Sequence, residues 1–286
     1  MKILRTIAEV RAHVAAARRA GRSVALVPTM GAFHAGHEAL MKAARDGYDD
    51  VVVSLFVNPT QFNEAADLQA YPRTEASDAA IAEGLGVDAL FAPAAGELYP
   101  DGFATRIRVA GLGGVLEGAE RGREHFDGVC TVVCKLLNIV RPDAAYFGQK
   151  DAQQVVVLRR MIRDLDIPVA MEIVPTVRAA DGLALSSRNA RLGPADRERA
   201  TALSRALRAV ADAIAAGEHD ADRAAARGRA VLAEAGIDAE YLTVADPGTL
   251  EPLERVEGSA LVLVAARVGP ARLIDNVLIE QVATPA

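Results

Sequence analysis

The sequence predicts an α/β fold: a Rossmann-like parallel sheet domain followed by a second, smaller α+β domain. Three observations carry this. Short apolar runs alternate with stretches of helical period over the first two thirds of the chain, the pattern of a parallel sheet covered on both faces. Past about Val177 the order changes, with helices first and strands last. The length, 286 residues, suits about two domains.

Taken in order, the strand-like runs of the first part are Ser23–Val27, Val51–Val57, Ala89–Phe91, Ala144–Phe147 and Val169–Val174. Helical patterns fall at about Thr6–Ala20, Gly36–Asp46, Glu75–Glu83, Gly128–Val140 and Asp151–Asp164. In the second part, Ala/Arg-rich amphipathic segments over Pro194–Ala216 and Asp222–Ala235 precede strand-like Ala239–Val244, Ala260–Arg267 and Ala271–Glu280. Val-Gly-Pro between the last two signals a hairpin. The domains are placed at 1–176 and 177–286, with a soft boundary over 175–188.

Composition narrows the function. Lys plus Arg is 32 and Asp plus Glu 38, a net charge of −6, which argues against a protein that coats nucleic acid. Hydrophobic content of 51% and charged content of 24% suit a globular chain, not a disordered one. No apolar run approaches the ~18 residues of a membrane span. The N-terminal segment MKILRTIAEVRAHVAAARRAGR is charged throughout and lacks a signal-peptide core. Cys130 and Cys134 cannot make a disulfide framework or a four-ligand zinc site, and four residues apart on a helix they read as core. A cytoplasmic enzyme with no metal cage of its own is expected. His13 and His219 sit in Ala/Arg-rich helical stretches and read as solvated.

In open parallel sheets, ligands bind beyond the carboxyl ends of the strands. Four strand-like runs lead into polar, turn-rich segments there, and their convergence is stronger than any one of them. The first is Met30-Gly-Ala-Phe-His34-Ala-Gly36-His37. His34 and His37 share a face at a helix start. Gly36 lets a ligand approach the backbone, and the N–H groups there favour a phosphate. Two imidazoles can donate to phosphoryl oxygens as charge builds; near their ordinary pKa of about 6.5, either protonation state is accessible. The ordinary alternatives are two helix-capping histidines or half a metal site.

Asn58-Pro-Thr-Gln61-Phe62 places amides that donate and accept at a strand end, suited to a hydroxy acid; alone, it reads better as an Asn-Pro turn. Gly148-Gln149-Lys150-Asp151 offers a point charge for phosphate beside an N-capping Asp, or merely a surface Lys. Leu185-Ser186-Ser187-Arg188 can grip a triphosphate with hydroxyls and a guanidinium, or is a Ser-rich loop before a helix. Gly111-Leu-Gly113-Gly114 only echoes the dinucleotide fingerprint, because the third glycine position is Leu116; no Walker-type loop is present.

Pro28-Thr-Met-Gly-Ala-Phe-His-Ala-Gly-His37 resembles the His-x-Gly-His signature of nucleotidylyl transferases, and more narrowly that of the pantoate–β-alanine ligases. Four further segments resemble the same family: Phe56–Phe62, Tyr71-Pro-Arg-Thr74, Phe147–Gln154 and Asp181–Asn189. Together they cover residues 28 to 189 in the family's order.

The resemblance implies activation of a carboxylate by ATP. Pantoate would attack the α-phosphorus, β-alanine would then displace AMP, and the site would need to exclude water from the mixed anhydride. By resemblance, His37, His34, Lys150 and Arg188 are catalytic. ATP would be contacted by Met30, Gly31, His34, Gly36, His37, Gly148, Gln149, Lys150, Asp151, Val177 (through its backbone to adenine), Leu185, Ser186, Ser187 and Arg188. Gln61 would touch pantoate and β-alanine, and Gln154 would hold pantoate. Mg²⁺ is expected on charge grounds, with Asp151 as a candidate partner, and the family implies a homodimer. Glu117–Phe126 reads as a mobile lid and departs from the family's Arg-Pro-x-His-Phe: there is no proline, and Arg121 and Arg123 compete for the arginine position. Another nucleotidyltransferase and a non-catalytic nucleotide sensor are the rival readings; the sensor is expected to lack some of His34, His37, Lys150 and Arg188.

Overall fold

The computed structural model describes residues 1–63, 65–122 and 124–280. They form two compact units. The first is Met1–Gly148 with Gln153–Pro175; the second is Gln149–Ala152 with the described residues from Thr176 onward.

The first unit runs β1 (Lys2–Leu4), α1 (Ile7–Arg19), β2 (Val24–Thr29), α2 (Ala35–Gly47), β3 (Asp50–Leu55), α3 (Ala65–Ala70), α4 (Glu75–Gly84), β4 (Ala89–Phe91), α5 (Ala95–Leu98), α6 (Glu117–Arg121), α7 (Glu124–Val140), β5 (Ala144–Gly148), α8 (Ala152–Asp164, from Gln153 on) and β6 (Ala170–Val174). Its sheet has the order β1-β4-β3-β2-β5-β6, and every pair is parallel. The expected doubly covered parallel sheet is therefore present. The central runs Val24–Val27 and Val51–Val53 are fully buried, the mark of strands covered on both faces. Strand order reverses between β2 and β5, so Thr29 and Gly148 end the two strands at the topological switch point, where ligands bind.

Besides the short helices α3, α5 and α6, three details differ from the sequence reading. β1 is an added edge strand, too short to signal itself. β2 extends through Pro28 to Thr29; β5 pairs only Ala25 and Leu26 of it, so Pro28 falls where one neighbour has been lost. His13 is buried instead of solvated, with Nε2 2.8 Å from Asp50 Oδ1. Asp50 is wholly buried, and Arg22 Nη1 lies 3.1 Å from its second oxygen. A buried carboxylate needs such partners, and no helical periodicity announces one.

The second unit contains α9 (Pro194–Ala200), α10 (Ala202–Ala215), α11 (Ala221–Glu234), β7 (Ala239–Ala245), β8 (Ala260–Val268) and β9 (Ala271–Ile279). The strands form an antiparallel sheet of order β7-β8-β9, and the expected hairpin joins β8 to β9 with Val268 opposite Ala271. Leu203, Leu207 and Val210 of α10, Ala224 and Leu232 of α11, and Val262 and Val264 of β8 share one core. His219 lies in the loop between α10 and α11, where its Nδ1 is 2.9 Å from Val256 O.

Candidate active site

In the first unit, the carboxyl end of β2 delivers Met30, Gly31 and His34, and α2 begins at Ala35. His34 is the N-cap of α2: its Nδ1 accepts the Gly36 N–H at 3.1 Å. His37 answers from the third helical position, its Nδ1 accepting the His34 N–H at 3.3 Å. The two rings lie 4.2 Å apart by centroid. Capping uses only one nitrogen of each ring and so does not conflict with the chemistry expected of the pair. Because Nδ1 of each ring accepts a backbone proton, Nε2 is the nitrogen that carries the proton in the neutral ring. Besides the room expected for a ligand, Gly36 has a packing reason of its own. A Cβ there would stand 2.8 Å from His34 Cε1, so the missing side chain makes room for the His34 ring itself.

The turn before His34 is held by Asp78 of α4, which the sequence did not reveal. Asp78 is 1% exposed. Its carboxylate accepts the N–H groups of Ala32 at 2.9 Å and Phe33 at 2.8 Å, and the Thr74 hydroxyl at 3.0 Å. An interior carboxylate with three donors fixes a loop more firmly than the loop's own contacts could.

After β3, Asn58 organises Gln61. Asn58 is 1% exposed. Its Nδ2 donates to Gln61 Oε1 at 2.9 Å and to Gly128 O at 3.1 Å. Its Oδ1 accepts from the Thr60 hydroxyl at 2.9 Å and from Tyr99 Oη at 2.8 Å. Gln61 Nε2 then faces Met30 Sδ at 3.1 Å, which brings two of the expected site residues together. His125 Nδ1 lies 2.8 Å from Gln61 O. Helix α7 reaches this turn only because residue 128 is glycine: a Cβ there would meet Thr60 O at 2.4 Å and Gln61 N at 2.8 Å. The Asn-Pro turn and the amide site are one object. Asn58, Gly128 and His125 were missed as positioning residues because their partners lie far along the chain.

Gln154 sits in the first turns of α8, half-buried. Its neighbour Gln153 is buried and structural, donating to Leu112 O at 2.7 Å and Val115 O at 2.8 Å while accepting the Glu117 N–H at 2.9 Å. Gln153 thereby ties down the start of the expected lid segment. Arg121 closes α6, and Arg123 lies outside the described residues.

In the second unit, Gln149, Lys150 and Asp151 form a single 3-10 turn. Lys150 Nζ is 3.5 Å from Asp151 Oδ1, a loose pair in a half-exposed setting that contributes little stability. Residues 177–185 fold back on themselves: Leu185 N donates to Val177 O at 2.9 Å, and Ala179 N to Leu183 O at 2.9 Å. The Val177 carbonyl is therefore engaged with Leu185. The hairpin presents Ser186, which caps a 3-10 helix over Ser187–Arg191 by accepting the Arg188 N–H at 3.3 Å. Lys150, Ser186, Arg188, Asn189, Arg272 and Asp275 line one open cleft of this unit. Three cations and the Ser186 hydroxyl border this space, and such groups pair with phosphate oxygens.

A family model described as "Pantoate-beta-alanine ligase" matches residues 2–278. The chain belongs to the pantoate–β-alanine ligase family. Among its relatives, the pantothenate synthetase of Moorella thermoacetica is 52% identical over 98% of this chain and 99% of its own. That of Cereibacter sphaeroides is 51% identical over 96% and 98%. The crystal structure of pantothenate synthetase from Thermus thermophilus matches with a TM-score of 0.91 at 45% identity, covering 97% of this chain and 99% of that one. A pantoate–β-alanine ligase from Francisella tularensis, crystallised with β-γ ATP and β-alanine, matches with a TM-score of 0.78 at 34% identity, covering 97% of both.

Proposed function

We propose that this chain performs the reaction of its family: ATP-dependent condensation of pantoate with β-alanine through pantoyl adenylate, releasing AMP and pyrophosphate. In the first step the pantoate carboxylate forms a bond to the α-phosphorus as the bond to pyrophosphate breaks. In the second, the β-alanine amine attacks the acyl carbon, loses a proton, and AMP departs.

The observation that carries this reading is the reciprocal cap of His34 and His37. It occupies Nδ1 of each ring as an acceptor and so assigns the proton of each neutral ring to Nε2, and an N–H is the group that stabilises phosphoryl charge. His37 is the candidate proton donor. Met30, Gly31 and Gly36 line the nucleotide's place in the first unit. In the second, Lys150, Ser186, Ser187 and Arg188 hold phosphates, with Gly148, Gln149, Asp151, Val177 and Leu185 as the flanking ATP contacts.

Gln61 and Gln154 are assigned to pantoate, and Gln61 also to β-alanine. Neutral amides orient a carboxylate while leaving its charge available for attack. Gln154→Arg should therefore lower the KM for pantoate while slowing adenylation, by about tenfold for a guanidinium that holds the ground-state carboxylate roughly one net hydrogen bond more tightly than the amide does; faster adenylation would refute this.

Mg²⁺ is proposed to arrive with ATP. Among the described residues no group of three His, Cys, Asp or Glu could hold an ion, and Asp151 with its half-exposed carboxylate fits a partner for a metal already held by phosphates. Bound there, the ion would neutralise phosphate charge ahead of anionic attack.

A homodimer in the cytoplasm completes the reading, supported by the family resemblance; no helix among the described residues is long and apolar enough to cross a membrane. Light scattering on the purified chain tests the dimer.

The decisive assay is AMP release from ATP and Mg²⁺ with pantoate, β-alanine, both or neither, together with pyrophosphate exchange into ATP. AMP only with both substrates, and exchange that needs pantoate alone, is the expected result. Exchange without pantoate would sink the substrate assignment while keeping adenylylation.

A further inference from the structure

We infer that Asp275 and Asn276 of β9 are positioning residues that set the spacing between Lys150 and the Ser186–Arg188 segment, and so control the adenylation step by holding those two segments. The inference rests on the assignment of Lys150 and Arg188 to phosphates. It starts from an oddity of the fold: Gln149–Ala152 leaves the end of β5 and groups with the second unit.

Asn276 is the reason. It is 3% exposed. Its Nδ2 donates to Gln149 O and to Lys150 O, both at 2.9 Å, and its Oδ1 accepts from Gln149 Nε2 at 3.1 Å. Both amide protons and the carbonyl of one buried side chain are thus committed to the backbone and neighbour of Lys150.

The preceding residue does the same for the other basic segment. Asp275, 4% exposed, takes Arg178 in a two-pronged pair at 2.6 and 2.9 Å. Arg178 also donates to Gly182 O at 3.2 Å and to Asn276 O at 3.4 Å, so it ties the hairpin that presents Ser186–Arg188 to the same strand. Asp275 Oδ1 further accepts the Asn276 N–H at 2.8 Å. Two adjacent residues on one rigid strand therefore anchor the two loops that carry the cations. Loops supported this way keep charges within the fraction of an ångström that transition-state stabilisation demands.

The test is Asn276→Asp, nearly isosteric, which sets a carboxylate oxygen against two carbonyls in place of the donor. Asn276→Ala is the milder second variant, and thermal unfolding identifies folded protein. Expected for Asn276→Asp is a fall of about 10²-fold in pantoate-dependent pyrophosphate exchange, as for a 1 Å misplacement, and for Asn276→Ala about tenfold, the loss of roughly one to two net hydrogen bonds. The KM for β-alanine and the aminolysis of supplied pantoyl adenylate should not move.

Adding Asn276→Ala to Lys150→Ala should cost little beyond Lys150→Ala alone, because a residue acting through another is non-additive with it. Equal loss of both chemical steps, or full multiplication of the two variants, would overturn the inference in favour of a merely structural role. Exchange unaffected by either Asn276 variant while Lys150→Ala abolishes it would overturn the inference alone. Exchange unaffected by Lys150→Ala would instead overturn the assignment of Lys150, and the inference with it.

Discussion

The two units hold their site residues in opposite ways. In the first, the groups proposed for chemistry are also structural parts. His34 caps α2, Gln61 shares a hydrogen bond with buried Asn58, and the turn before His34 is pinned by a buried carboxylate. In the second, Lys150, Ser187 and Arg188 sit on half-exposed turns, and anchoring falls to other residues, mainly Asp275 and Asn276. The difference teaches where stability and chemistry can be separated. Substitutions in the first unit's site should disturb both; in the second unit's, the cations can be changed while the anchors keep the fold.

The sharpest break of this comparison is His34→Asn. Asparagine is as good an N-cap as any residue but carries no imidazole. Adenylation should fall by about 10²–10³-fold, the range for removing one transition-state donor, with the melting temperature nearly unchanged. His34→Ala should lose a further ~1 kcal/mol of stability with the cap. Activity retained in the asparagine variant would reduce His34 to a cap.

Gly128→Ala comes next. Its methyl would overlap the Thr60 carbonyl and the Gln61 amide, so α7 must shift. A loss of about 1–3 kcal/mol is expected in denaturant unfolding, together with a raised KM for pantoate as Gln61 moves. Destabilisation with an unaltered KM would separate the two roles.

Ser187→Ala is the counterpart in the second unit. Roughly tenfold slower exchange is expected, about one hydrogen bond to a charged group, with stability within ±0.5 kcal/mol as for an exposed position. A large stability loss there would erase the contrast between the units.

The smallest effect concerns Cys130, buried on α7. Burial first, then the charge of Asp127 and the neighbouring Cys134, push the Cys130 thiol up to about 12. Folding favours the neutral thiol, so its contribution to stability is complete below the ordinary value of 9.0 and is lost as pH rises toward about 12. Native protein near neutral pH should leave Cys130 unmodified by iodoacetamide. Modification of Cys130 before Cys134 would contradict its burial.

Much of this was legible in the chain. Alternating apolar and amphipathic runs declare a parallel sheet because period 2 and period 3.6 bury different faces. Short local patterns such as His34-Ala-Gly36-His37 and Leu185–Arg188 point to the chemistry proposed for them because the groups that would cooperate lie within a few residues. Gln153 and Gln154 show the limit. They are the same residue type, adjacent in one helix, and only the structure shows Gln153 filled with hydrogen bonds to Leu112, Val115 and Glu117. His13 shows it again: helical surroundings suggest solvent, and a carboxylate 37 residues away buries it.

The fold class and most of the order of strands and helices were set by the sequence alone, which also singled out the short motifs proposed for phosphate and carboxylate chemistry, since these depend on local periodicity and on residues close along the chain. The tertiary structure alone decided what holds those motifs in place: Asp78 under the His34 turn, Asn58 and Gly128 around Gln61, and Asp275 and Asn276 beneath the two basic turns. The physical reason is that a buried polar group must find its partner wherever the packed chain brings one, and that distance is written in the fold, not in the spacing of the residues.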